Sequence, residues 1–432
     1  SQLLNKFLNN RITIQDLTIK PARKITPNIS KPKKTIKSLI INFLTKFNSW
    51  FQNDEDYFFI STYLFLLTDL RLQIRVGQFP KIWQKISIPD IEMNLNKRKW
   101  NLINRVNENS FDKIVHLMIP LHIPMIYLEG YQDMLDKVDN LPWPKKPKAI
   151  FTSNSHFTDD IFKAWAGDKT QKGTPLFIGQ HGGHYGMTPF SLHEKHEITI
   201  ADKWISWGWS DKEKKQVKPI GNLIAMSHSN KYNPKGGALM VEMNIPRYSY
   251  DLFAAPIAGQ YLSYLEDQRS FIDALPEELS QKLIVRLHFN DYERDLKDYW
   301  KFNFPDIQID YGEKPISSLV RVSRLYISTY NATTYLESLA WNIPTIIFWN
   351  PNYWELNEDA SYFIKLLESV GIFHNNPESA ANHMIKVWDD IPTWWESPEV
   401  QNARKEFCKY YSHLPDNSLD ELEIIFKEIV KD

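Results

Sequence analysis

The chain has one cysteine, Cys408, in 432 residues, so no internal disulfide framework can hold it together, and a reducing compartment is expected. It has no apolar run long enough to cross a membrane. The longest, Tyr57 to Leu67, is interrupted by Ser61 and Thr62 and is well short of the roughly 20 residues a helical span needs. No basic-then-apolar leader opens the sequence, which adds to the expectation of a cytoplasmic protein. Net charge is also lacking: at −1 the molecule as a whole is no polyanion binder, and nucleic acid is not an expected partner. Neither a G-x-G-x-x-G fingerprint nor a P-loop G-K-[ST] is present, nor any internal repeat or low-complexity tract. The single D-x-D, Asp54-Glu55-Asp56, is not on a strand end, and His193 and His196 alternate with carboxylates in no zinc pattern. No metal or other cofactor is expected.

What is present is enough apolar and aromatic sequence, 43% and 14%, to bury full-sized cores in two or three domains. Charge is segregated. Residues 1–50 carry ten Lys or Arg against Asp16, giving +9, while the remainder is −10. Ile36, Leu39, Ile40, Phe43, Leu44, Phe47, Trp50 and Phe51 recur there at helical spacing beside Lys33, Lys34, Lys37 and Lys46. This basic amphipathic segment, 1–55, suits either an anionic inner-membrane surface through residues 33–51 or docking on the protein's own core.

Residues 56–139 read mostly as helix. From Ala149 onward, short β-rich runs alternate with helical stretches, which argues for parallel sheets covered by helices. Pro219–Asn222 and Asn233–Gly237 bracket a polar stretch and mark the best boundary. The expected organisation is a first α/β lobe over 56–222, a second over 237–415, and a closing helix over 416–432. Both lobes are read as doubly wound, with a cleft between them.

The second lobe centres on Arg324–Asn357, a strand–turn–helix–strand unit. Its turn gathers Ser328, Thr329, Asn331, Thr333 and Thr334 where ligands of open α/β sheets bind, and a helix N-terminus there favours an anion. Thr333 or Thr334 taken singly reads equally as an N-cap. Glu337, one turn into the helix, is placed to reach a ribose hydroxyl. Arg286 and His288 share a face at the end of an apolar strand; the histidine can donate to a phosphate or assist a leaving group, or be structural. Arg247 and Asp251 lie on the loop after the lobe's first strand. Asp251 is a candidate nucleophile or base, or a carboxylate stabilising a helix start. In the first lobe, Gln180, His181, Gly182, Gly183 and Tyr185 form a glycine-rich loop directly after a strand, where backbone can approach a ligand or simply turn tightly. The run Glu194, Glu197 and Asp202 with its histidines reads as a solvated face.

With these residues in place, the chain resembles the GT-B glycosyltransferases, and within them the bacterial retaining β-Kdo transferases and related O-antigen-cluster transferases. The likeness lies in Arg286-Leu287-His288, Ser328-Thr329, Glu337 and the aromatic loop Phe348–Trp354, within residues 148–358. It implies an acidic, Kdo-like sugar carried by CMP, with His288 and the Ser328–Glu337 turn holding the nucleotide. Asp251 would attack the anomeric carbon, the Gln180–Gly186 loop would face the acceptor, and the acceptor would be a surface polysaccharide or lipid-linked glycan. A UDP-hexose or CDP-glycerol donor, and a two-lobed sugar-binding protein without chemistry, are the competing readings.

Overall fold

The structure is a computed structural model and describes residues 53–88, 90–100, 110–227, 229–246, 255–257 and 259–428. The basic amphipathic segment lies outside these residues, as do Arg247 and Asp251. The chain divides into two compact units.

One unit comprises, among its described residues, those within 82–143 and 159–168. It contains the helices Ser110–His122 and Tyr131–Asp139 and the start of a third, Asp160–Gln171. Buried Arg98 joins its parts, forking onto Glu129 at 2.6 Å and donating to the carbonyls of Pro120, Leu121 and Ile123. That guanidinium holds the Glu129 carboxyl down at about 2.

The other unit holds both sheets. The first has five parallel strands in chain order: β1 (Phe58–Phe59), β2 (Ile150–Thr152), β3 (Leu176–Gly179), β4 (Lys203–Ser206) and β5 (Val217–Pro219). Short Phe- and Ile-rich runs buried on both faces are what a covered parallel sheet requires. One face packs Phe59, Phe151 and Phe177 around Phe426, whose ring centroid lies 5.1, 5.3 and 4.4 Å from theirs. Phe426 belongs to the helix Ser418–Glu428, so the end of the chain closes the core of the first sheet.

The second sheet is β6 (Gly237–Val241), β7 (Leu283–Arg286), β8 (Gln308–Asp310), β9 (Ser323–Ser328), β10 (Thr345–Phe348) and β11 (Phe373–His374). Its order is β11-β10-β9-β6-β7-β8, all parallel. The order reverses between β6 and β9, where Val241 pairs with Ser328, so this sheet is doubly wound with its switch point between those strands. The alternating strands and helices expected after Ala149 are there. Two-residue β1 and β11 are strands that the sequence reading did not separate from their surroundings.

Candidate active site

The carboxyl ends of β6 and β9 are tied together by a hydroxyl relay. Thr329 donates to the Val241 carbonyl at 2.9 Å and accepts from Tyr264, 2.7 Å away; the Tyr264 oxygen in turn accepts the Met243 N–H at 2.8 Å. Ser328 donates to the Tyr330 carbonyl, and Asn331 accepts from Tyr335 at 3.0 Å. Ser328, Thr329 and Asn331 are buried. Their polar atoms are bonded within the turn and stabilise it.

The helix that follows, Thr333–Ala340, begins without a side-chain cap. Its N-cap is Ala332, in extended backbone, so neither Thr333 nor Thr334 fills that role. The first-turn N–H groups and the positive end of the helix dipole are left without side-chain acceptors. Thr334 instead accepts from the Tyr326 hydroxyl at 2.6 Å.

Along the flank of this helix is a cavity of about 400 Å³ whose lining includes Tyr326, Thr334, Glu337, Arg321 and Trp341, with Phe65 and Ile224 from the first-sheet side. The Glu337 carboxyl has no hydrogen-bond partner among the described residues, and burial alone pushes it up to about 8. At neutral pH it is protonated, a donor as well as an acceptor facing an apolar-walled space. Arg321 reaches the same cavity and donates to Asn230 at 3.1 Å.

His288 stands at the end of β7, half-buried. Its Nδ1 accepts the Asn290 N–H at 3.1 Å and its ring stacks on Tyr292 at 5.8 Å. Burial, the largest cause, lowers its pKa, with the Arg286 charge acting in the same direction. The loop beyond holds Tyr292, Glu293 and Asp295 at positive φ, a conformation that costs energy in residues bearing a Cβ and collects at functional sites. Arg286 is paired with Asp310 and is not a free cation.

The glycine-rich loop after β3 performs several tasks. Gln180 is buried: its Oε1 accepts from the Trp207 N–H and Trp209 Nε1, both at 3.0 Å, and its Nε2 donates to the Gly182 carbonyl. These bonds give Gln180 a part in folding the loop. A Cβ on Gly183 would lie 2.2 Å from the Ala332 carbonyl oxygen and 2.8 Å from the Thr333 nitrogen. The first-sheet loop thus rests on the start of the second-sheet helix, and only glycine permits it. Asn357 fastens the contact, donating from its backbone to the Met187 carbonyl and from its side chain to that of Gly186, both at 2.8 Å.

Tyr185 is buried and donates to Glu197 at 2.8 Å, which Trp204 also reaches at 3.2 Å. Glu197 is 1% exposed, so the solvated-face reading of its run is wrong at this position. Helical period explains the miss: within Leu192–Ile200, Glu197 and Ile198 are the residues that turn inward. His181 lies against the same carboxylate and keeps part of its ring open to solvent.

Among the described residues no three His, Cys, Asp or Glu side chains are grouped to hold a metal ion. None of the described helices is long and apolar enough to cross a membrane.

No curated protein sequence matches the chain. Solved structures similar to it include the wall teichoic acid polymerase TagF, at 11% identity over 66% of this chain and 73% of that one, TM-score 0.36. MurG of Acinetobacter baumannii is similar at 11% identity over 69% and 77%, TM-score 0.39. WaaG, a glycosyltransferase involved in lipopolysaccharide biosynthesis, is similar at 9% identity over 68% and 94%, TM-score 0.32. At these scores the likenesses add nothing to the topology read from the strands themselves. A family match is far more extensive, spanning residues 1–425. The chain belongs to the LIC12162 family of transferases.

Proposed function

We propose that this transferase is a GT-B glycosyltransferase that takes a nucleotide-activated sugar in its second lobe. The observation that carries the reading is Glu337: a buried, unpartnered, protonated carboxyl opening on a 400 Å³ cavity one turn from an uncapped helix N-terminus at the switch point. A nucleoside fits the cavity, with its ribose hydroxyls at Glu337. The phosphate fits the N–H groups of the uncapped first turn beyond the Gly183 contact, which stabilise the departing negative charge without a metal. The donor is a CMP-linked acidic sugar and the acceptor a surface polysaccharide or lipid-linked glycan. Both rest on the resemblance to β-Kdo transferases, as does retention of configuration through Asp251. A carboxylate nucleophile would split such a transfer into two displacements, each through an oxocarbenium-like state.

Thermal shift with CMP, CDP and UDP tests this reading. CMP should stabilise the protein most, and Glu337→Ala should remove the shift. Stabilisation by UDP alone would overturn the choice of donor, and no response to any nucleotide would overturn the function. The basic segment 33–51 fits a resting place on the cytoplasmic face of an anionic membrane. Cosedimentation with phosphatidylglycerol vesicles should fall when residues 1–50 are removed; unchanged sedimentation would refute membrane docking.

A further inference from the structure

Three loops converge at the carboxyl edge of the first sheet, after β1, β2 and β3, and bring Tyr63, Asn154, His156 and His181 together. Asn154 donates to the Tyr63 hydroxyl at 3.1 Å, and the Tyr63 and His181 rings lie 6.0 Å apart. Beneath them is Glu197, from the helix Leu192–Ile200. Its Oε1 lies 3.7 Å from His181 Nδ1 and 3.2 Å from His156 Nε2, and accepts from Tyr185 at 2.8 Å. The side chains of Glu197 and His156 are 2% and 5% exposed, while that of His181 is 22% exposed. Of the two imidazoles, His181 is the one that meets solvent, backed by a buried carboxylate that two aromatic donors hold in place. Gln180 shapes the loop, and Gly183 makes the contact with the second-sheet helix. His181 is two residues from that contact and so lies beside the proposed phosphate site.

We propose that His181 is the general base that takes the proton of the acceptor's hydroxyl, with Glu197 as its positioning residue. This rests on the glycosyl-transfer reading above. The acceptor O–H proton passes to a ring nitrogen of neutral His181, whose Nδ1 and Nε2 lie 3.4 and 3.3 Å from the Tyr185 hydroxyl. The oxygen's freed pair forms the bond to the anomeric carbon. That carbon's bond to its leaving group breaks, and the electron pair departs with the group, either the nucleotide phosphate or, in a double displacement, an enzyme carboxylate. The resulting imidazolium sits against Glu197 and returns its proton to water.

The electrostatics support this. Burial, the largest cause, lowers the pKa of His181, so the ring is neutral and able to accept at pH 7. Glu197 and the Ser153 carbonyl oppose that lowering, while His156 and His193 reinforce it. Tyr185, Tyr63 and His184 complete the surroundings, and burial holds His184 uncharged with a pKa of about 4.

The experiment measures nucleotide release by the full chain from CMP-, CDP- and UDP-linked sugars, with lipid-linked glycans extracted from host membranes as acceptor. His181→Ala should lower kcat on the order of a hundredfold or more. Nucleotide thermal shifts should be unchanged, and added imidazole should restore part of the rate. Glu197→Gln should move the acidic limb of the kcat–pH profile to lower pH, because the charge that raises His181 is gone; a purely structural role would leave that limb in place. His181→Ala with kcat within twofold of wild type would overturn the assignment of the base, and an unmoved limb in Glu197→Gln would overturn the role of the carboxylate. Absence of release by the wild type from every donor would overturn the glycosyl-transfer reading itself.

Discussion

Glu242, just past β6 and fully buried, shows how a single carboxyl can set a pH response for the whole fold. Burial, the largest cause, raises it to about 8, with neighbouring Trp300 and Gln268 acting in the opposite direction. Trp300 donates to its Oε2 at 3.0 Å, while its Oε1 and the Gln268 Oε1 are two buried acceptors without a donor. A proton on Glu242 directed at Gln268 satisfies both, whereas ionisation strands a charge in the core. Glu337 is raised to about 8 as well. The sign follows from the proton count. Between the ordinary carboxyl value and about 8, the folded chain binds protons that the unfolded chain has released, so stability falls as pH rises through that window. The slope approaches about 1.4 kcal/mol per pH unit for each group. Urea denaturation at pH 6 and pH 8 should find the wild type weaker at pH 8, and Glu242→Gln less sensitive by one group's share. Parallel losses in the two proteins would show that Glu242 does not carry the proton.

Elements were legible where their period was strong and their length sufficient. The second sheet's strands are near-continuous apolar runs ended by turn residues, and the central strand–turn–helix–strand unit stands where the sequence places it. The late helices 358–369, 377–387, 398–411 and 418–428 continue the helical stretches that the sequence pattern implies. Two residues of Phe in β1 carry no alternation to read, and their strand character comes from pairing with Ile150 and Phe151. Roles were harder to read than elements. A hydroxyl-rich turn has the same letters whether its oxygens face a phosphate or, as with Ser328 and Thr329, neighbouring backbone. Glu197 was hidden for a related reason: only the fold shows which side of a short polar helix faces the core. The phosphate-ready N–H groups depend on Ala332, a residue with no polar atom to announce it. The partner of the helix Ser418–Glu428 was equally invisible, because nothing in its stripe of Leu422, Ile425 and Phe426 specifies the first sheet, whose strands lie far earlier within residues 58–219, as its seat.

The first sheet supplies a loop bearing His181 and Gly183, and the second supplies the uncapped helix and most of the cavity beside it. Chemistry between them requires the two loops to approach at backbone distance. Gly183 permits that approach, and Asn357 and the Tyr335 hydroxyl, 3.4 Å from the Met187 sulfur, hold it. Because the closest atoms are main-chain atoms on both sides, a methyl group at residue 183 has no flexible neighbour to displace, and the loops must separate. The polar groups assigned to the nucleotide all lie on the second sheet, and the first-sheet side adds only Phe65 and Ile224 to the cavity wall, away from residue 183, so nucleotide affinity should survive the change. A misplacement of about 1 Å between reacting groups costs on the order of a hundredfold in rate. Gly183→Ala should therefore leave the CMP thermal shift in place while kcat/KM falls by that order. If nucleotide binding were lost along with turnover, the phosphate would have to be held by the first-sheet loop as well, and the division of labour between the two sheets would be wrong.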